Sequence, residues 1–408
     1  MNIARIVSSL KKRGLKGSYL RWKQGGLAAV ANVADAWGFI LDDEKIPLDL
    51  EAFNTSDENK IVLNWVIPEM SKGSGGHTTI FRNISYLEQH GIHNKVYLFR
   101  AAHFPTDKSI RDFLKENFPI LDHQVEVFCD VKKMGFSHGV VATSWDTAYY
   151  VRKFDNAISK FYFVQDFEPY FYAHGSEYEF AENTYKFYFR GITAGDWLKN
   201  ICINQYGMQA DSFHFSYDKQ MCQPQEKKDN VKRIFFYARP VTPRRDFELG
   251  ILALTDLTRK MPDVEVVFAG EDISRYIIPF KHVNKGVLTQ QELYDIYSQC
   301  DLCLVFTNTN LSLLPLEVMG AGSVPVCSKG PNSEWLVNEE NAILVDYDPI
   351  EISKTLEKYL KNPELLKPIR AKAINFAQKT SWEKESEKVR QAFIKGIKED
   401  RSKIMERN

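Results

Sequence analysis

Short apolar runs recur along most of the chain, separated by helical stretches. Ile61-Val-Leu-Asn-Trp-Val-Ile67 reads as a buried strand, followed by a glycine loop and a helix through Glu88. Val96-Tyr-Leu-Phe99 predicts the next strand, with a helix near 108–117 after it. Val125–Phe128, Gly139–Ala142 and Phe161–Val164 continue the alternation. Asp218–Asn230 is polar and carries a proline, which marks a linker. The pattern then restarts with Ile234–Tyr237, Val264–Phe268, Leu302–Phe306, Val324–Cys327 and Ala342–Val345, and ends in a charged helical tail, about 349–402. Continuous apolar strands alternating with helices imply parallel sheets covered on both faces. The expected architecture is α/β, with two Rossmann-like doubly wound domains and a cleft between them.

The expected boundaries are a basic helical extension over 1–58, a first domain over 59–220, a second over 230–380, and a helix over 381–408 packing back on the first domain. In open α/β sheets ligands sit beyond the carboxyl ends of the strands, so two facing sheets would hold a ligand between them.

The extension is unusual in charge. From Met1 to Ala34 there are seven Lys or Arg and no acidic residue. Ile3, Ile6, Val7 and Leu10 share one helical face. Such a helix suits either an anionic membrane surface, through residues 1–24, or docking on the domain with a solvated basic rim. The stretch Leu27–Leu41 contains Asn32 and Asp35 and is too short and polar to span a bilayer. No cleavable leader is apparent, which points to a cytoplasmic protein, peripheral at most on the inner face of the plasma membrane.

Composition narrows the function classes. The 53 basic and 53 acidic side chains cancel, which argues against nucleic acid as a partner. Cys300 and Cys303 form a lone Cys-x-x-Cys inside a strand-like run, with no second pair, so they read as buried core rather than a metal or redox site. Aromatics reach 13% of residues, with 13 of them between Phe161 and Phe189. These fill a core, or in part line a groove.

Three segments could carry chemistry. Lys72-Gly-Ser-Gly-Gly-His77 follows the first strand and opens a helix, where Gly75 and Gly76 let a ligand approach the backbone and His77 follows. Its spacing matches neither the dinucleotide nor the Walker fingerprint. Tyr237-Ala-Arg-Pro-Val-Thr-Pro-Arg-Arg-Asp246 sets Arg239, Arg244 and Arg245 at a strand's carboxyl end, suited to phosphate oxygens. In Phe306–Val326 a strand ends, a polar turn follows, and a short helix opens near Leu313 with Glu317 one turn in.

These residues carry a resemblance. Leu316-Glu-Val-Met-Gly-Ala-Gly-Ser-Val-Pro-Val326 is similar to the signature of retaining glycosyltransferases of the GT-B fold, in the family 4 group. Ser333–Val337, Asn341–Asp346 and Leu288–Asp301 resemble neighbouring elements of that family, and Gly75-Gly76 its glycine loop. Phe163-Val-Gln-Asp-Phe-Glu-Pro169 and the arginine segment resemble the bacterial rhamnosyltransferases that build surface-layer glycans from dTDP-L-rhamnose.

The resemblance implies a transferase that works without a metal or other cofactor. Its partners would be dTDP-L-rhamnose, or another nucleotide sugar, and a lipid-linked saccharide acceptor. Glu317 would bind the nucleoside's sugar hydroxyl. Arg239 and Arg244 would hold the diphosphate, with Arg245 as a helper and the backbone of Ser312, Leu313 and Leu314 facing it; Lys285 and Asn310 would also belong to the donor-nucleotide site.

The chain departs from the family in three places, one of them Asn310, where the family usually has glycine. Where the family has a glutamate eight residues before Glu317, this chain has Thr309, and the usual first-domain histidine has no clear counterpart. Gln165–Pro169 stands at that strand end instead, with Asp166 and Glu168 as acidic substitutes and His174 beyond. Asp166 and Thr309 are therefore the candidate catalytic positions. Two other functions fit the same pattern: a sugar-nucleotide epimerase on a similar fold, or an inactive glycan-binding protein.

Overall fold

The computed structural model describes residues 33–406. The basic segment 1–24, expected to reach a membrane, lies outside them. Among the described residues no helix is long and apolar enough to cross a membrane.

The first sheet has strands β1 (Val62–Pro68), β2 (His93–Phe99), β3 (Glu126–Phe128), β4 (Ser137–Ala142), β5 (Ala157–Val164), β6 (Arg190–Ala194) and β7 (Ala210–Phe213). Their order is β3-β2-β1-β4-β5-β6-β7, and every pairing is parallel. The second sheet has β8 (Arg233–Tyr237), β9 (Glu265–Ala269), β10 (His282–Asn284), β11 (Leu302–Val305), β12 (Val324–Ser328) and β13 (Ile343–Val345). Its order is β10-β9-β8-β11-β12-β13, again all parallel. Both sheets reverse direction of winding at one point, between β1 and β4 and between β8 and β11. Loops diverge there and leave a crevice.

The apolar runs are these strands. Trp65, opposite Val96 on one side and Val141 on the other, is fully buried. Its ring meets Phe163 and Phe393 edge-on. Phe393 belongs to the last helix, Trp382–Met405, which lies against β5, β7 and the helix Gly75–Gln89. The second core is built on Phe236, Phe268 and Phe306.

The polar stretch Asp218–Asn230 joins the two sheets, as the sequence implied, and most of it is exposed. Tyr217 and Cys222 are buried, and the Cys222 thiol donates to the Glu317 carbonyl at 3.3 Å. Gly320 makes this approach feasible, because a Cβ there would sit 2.3 Å from the Tyr217 ring. The second crossing between the halves, near Thr380, runs beside the first: the Ser216 and Thr380 hydroxyls are 2.8 Å apart. All six cysteines are free thiols, and Cys300 and Cys303 are buried.

Candidate functional site

The carboxyl ends of both sheets turn toward one another, and the loops leaving them meet. From the first sheet come the glycine loop after β1, the turn after β4, and Gln165–Phe171 after β5. From the second come the arginine loop after β8 and Phe306–Leu313 after β11.

Asp166 is the centre of contact. Its Oδ2 accepts from the Thr309 hydroxyl at 3.0 Å and its Oδ1 from the Asn310 amide at 2.8 Å. Oδ1 also takes the N–H of Phe167 at 2.9 Å, which fixes the carboxylate on its own loop. The Asn310 side-chain amide donates to the carbonyls of Gln165, at 3.0 Å, and Ala194, at 2.8 Å. Thr309 and Asn310 are buried. The two candidate catalytic groups, Asp166 and Thr309, thus meet each other as a bridge between the sheets. The Asn310 amide hydrogens are spent on the first domain. Burial pushes the Asp166 carboxyl above its ordinary value, against the pull of Arg245, the Asn310 N–H, Arg244 and the Thr309 hydroxyl.

The three arginines lie beside this bridge. Arg244 brings its Nε within 4.0 Å of Asp166 Oδ2, and its guanidinium stacks on Phe171 with 3.9 Å to the ring centre. Arg239 pairs with Glu271 at 3.4 Å. Arg245 is half-buried, and burial lowers its pKa while Asp166 opposes the shift. Asp246, which ends the turn, holds φ at 53°, a left-handed conformation that costs a non-glycine residue about 1–2 kcal/mol. Burial raises its carboxyl to about 6. Lys285 is exposed at the end of β10.

Glu317 sits deeper, in the helix Leu314–Gly320. Its Oε1 accepts from the Tyr294 hydroxyl at 3.0 Å and from Gln290 at 3.2 Å. Burial lifts its pKa to about 7, and these two donors only partly offset that. The neighbouring Tyr297 hydroxyl is buried without a partner. A ligand hydroxyl is the kind of group such a site accommodates. The Ser312 hydroxyl accepts from the Leu314 N–H at 3.4 Å, and Leu313 precedes the helix.

Across the cleft, the helix Gly75–Gln89 begins after Ser74 with no side-chain cap. A Cβ on Gly75 would meet nothing within 4 Å, and one on Gly76 only the end of Gln165. The backbone is therefore open to a ligand on that side. His77 is inward-facing: Nδ1 is 2.8 Å from the Ser74 hydroxyl and Nε2 3.3 Å from the Pro68 carbonyl. Burial lowers its pKa, against the pull of the Pro68 carbonyl. His174 is exposed and stacks on Tyr178 at 4.5 Å.

Glu168 is a structural cap in this arrangement. It is buried and accepts from the Trp145 N–H at the start of the helix Trp145–Lys153. Burial, with Asp146 and Asp166 nearby, drives its carboxyl to about 8 despite that hydrogen bond.

Two contacts were not readable from the sequence. Phe171 holds Arg244, and Trp335 of the second half covers Gly195 of the first, whose φ is 93°. Both pair residues more than 70 positions apart. Of the 13 aromatics in the run, Phe161, Tyr162, Phe163, Phe167, Tyr185 and Phe189 are buried in the core, five are half-buried, and Tyr170 and Tyr188 are exposed.

Residues 232–357 match a family described as "WsaF, C-terminal domain". The chain is 30% identical over 377 residues to the O-antigen biosynthesis protein RfbC of Myxococcus xanthus, covering 88% of this chain. It spans only 29% of the length of that relative. Among solved structures, the S. aureus protein TarM, in a complex with fondaparinux, α-GlcNAc-glycerol and UDP, superposes with a TM-score of 0.64 at 10% identity. That match covers 82% of this chain and 99% of TarM. Anabaena HepE, solved with UDP and glucose, gives 0.60 at 13% identity over 81% of this chain and 98% of its own. Sucrose-phosphate synthase of Thermosynechococcus elongatus gives 0.62 at 11% identity, over 82% and 98%. The two doubly wound sheets and their cleft are the GT-B fold, as expected from the strand pattern and the resemblance.

Proposed function

We propose that this chain is a retaining glycosyltransferase that moves a sugar from a nucleoside diphosphate to a saccharide acceptor in cell-surface polysaccharide assembly. The observation that carries the reading is the arginine loop after β8. It concentrates Arg239, Arg244 and Arg245 at the carboxyl end of the second sheet, with Arg244 against Asp166 and Phe171 of the first half. Preorganised cations aimed at a departing diphosphate stabilise the charge that develops as the glycosidic bond breaks. The same arginines let the reaction proceed without a metal or other cofactor. Closure of the cleft keeps out the water that would hydrolyse the donor.

The family match over residues 232–357 and the O-antigen relative support the polysaccharide context. The UDP named with TarM and HepE supports a nucleotide sugar. Our specific choice of donor is dTDP-L-rhamnose. A single carboxylate, Glu317, is suited to thymidine, whose deoxyribose offers only a 3′-hydroxyl to it. The acceptor in this reading is a lipid-linked saccharide of a surface-layer glycan, extended in the cytoplasm. Residues 1–24 would hold the enzyme peripherally at the membrane.

Calorimetric titration with dTDP, UDP, GDP and ADP, and with dTDP-L-rhamnose, tests this directly. Tightest binding to dTDP, unchanged by a chelator and markedly weakened in Arg244→Ala, is the expected result. Binding to none of the four nucleotides would overturn the site and favour a glycan-binding protein. Conversion of the donor without an acceptor would favour an epimerase.

A further inference from the structure

Arg244 belongs to the second half by sequence but is positioned by the first. Its guanidinium lies on the Phe171 ring at 3.9 Å, and its Nε edge faces Asp166 at 4.0 Å. The backbone of its loop is held by the second half: the Arg244 carbonyl accepts from the Asn308 N–H at 3.0 Å. The head group's Nε is buried without a hydrogen bond of its own. What fixes the plane and direction of this arginine therefore comes from across the cleft. A guanidinium stacked on an aromatic face keeps its two Nη edges free for bidentate contact with phosphate oxygens.

We infer that Phe171, supported by Asp166, is a positioning residue that completes the anion site of the second half from the first. This rests on the reading of the cleft as a nucleoside-diphosphate site, and it goes further. It makes diphosphate affinity depend on a first-domain aromatic that touches no part of the nucleotide. It also ties the site's assembly to closure of the cleft. When the halves part, Arg244 loses its platform and the diphosphate loses a correctly aimed partner.

The experiment is a double-variant cycle in the full chain, read by calorimetry with dTDP, UDP, GDP and ADP. Phe171→Ala and Phe171→Leu should each weaken the tightest of the four by about tenfold, the scale of one desolvated cation–π contact. Phe171→Tyr, which keeps the aromatic face, should bind like the unaltered chain. Added to Arg244→Ala, Phe171→Leu should cause no further loss, because the platform then has nothing to hold. Leucine keeps the apolar bulk, so this variant stays informative if Phe171→Ala misfolds. Unchanged affinity in Phe171→Leu, or an additive loss in the double variant, would overturn the inference while leaving the nucleotide site intact. Failure of the unaltered chain to bind any of the four would overturn the proposed function, and this inference with it.

Discussion

Glu168 and Glu317 are buried carboxyls whose hydrogen bonds do not make up for lost hydration. Burial moves Glu168 from 4.5 to about 8 and Glu317 from 4.5 to about 7. Both groups therefore keep their protons in the folded chain at pH values where the unfolded chain has lost them. The linkage sign follows: stability from these groups is present below about 4.5 and drains away as pH rises toward 7 and 8. Glu168→Gln keeps an oxygen to accept the Trp145 N–H and removes the titration. The gap in unfolding free energy between pH 5 and pH 9 should therefore shrink by roughly 4 kcal/mol in this variant, since about three of the pKa units between the unfolded and folded values fall in that window and each is worth ~1.4 kcal/mol. Chemical denaturation at the two pH values checks it. An equal gap in both proteins would mean that Glu168 is already ionised in the fold.

At the scale of elements, the joint between the halves depends on missing side chains. Gly195 leaves β6 at φ 93°, and a Cβ there would lie 2.6 Å from the Trp335 ring. Gly195→Ala should cost roughly 2–3 kcal/mol, from the left-handed backbone and the clash together. In a Trp335→Ala background the clash disappears and only the backbone strain remains, so the cost should fall by half or more. Urea midpoints of the four proteins measure this, and an equal cost in both backgrounds would remove Trp335 from the joint. Contacts of this type explain what the sequence left hidden. The strands were legible because parallel strands are buried on both faces, so Leu302–Val305 is an unbroken apolar run and Val62–Pro68 is interrupted only by Asn64. The arginines and Glu317 were legible because they lie at strand ends or one turn into a helix, where local spacing carries meaning. Trp335 against Gly195 and Phe171 beneath Arg244 depend on how two sheets face each other, and no short-range pattern encodes that. What the linker Asp218–Asn230 did not disclose is of the same kind: Cys222 within it and Tyr217 just before it pack on a helix about 100 residues away.

The whole molecule is a chain that returns to where it began. The last helix, Trp382–Met405, leaves the second half and completes the first. Phe393 packs against Trp65 and Phe161, at 5.5 and 4.8 Å between ring centres. Gly396 permits the closest approach, since a Cβ there would sit 2.8 Å from Phe161 and Arg190. Arg190 in turn forms a two-pronged pair with Asp400 at 2.8 and 2.7 Å. The two crossings of the cleft run side by side, with Lys219 on the Gln378 carbonyl at 2.7 Å as a further tie. That geometry ties the halves together at the paired crossings and again at the Asp166 bridge. It also makes the first half dependent on the end of the chain. A protein stopped after residue 381 would expose Trp65, Phe161 and their neighbours, at about 1.5–3 kcal/mol for each large apolar side chain uncovered. Several such losses exceed the typical net stability of a domain, about 5–15 kcal/mol. The truncated chain should therefore lose the cooperative unfolding of its first half while the second half still melts as a unit. Adding a peptide of residues 382–408 should restore the missing transition, and scanning calorimetry would show both. A first half that melts unchanged without the helix would mean that the sheet is closed by its own helices, and that the returning helix serves only to join the two halves.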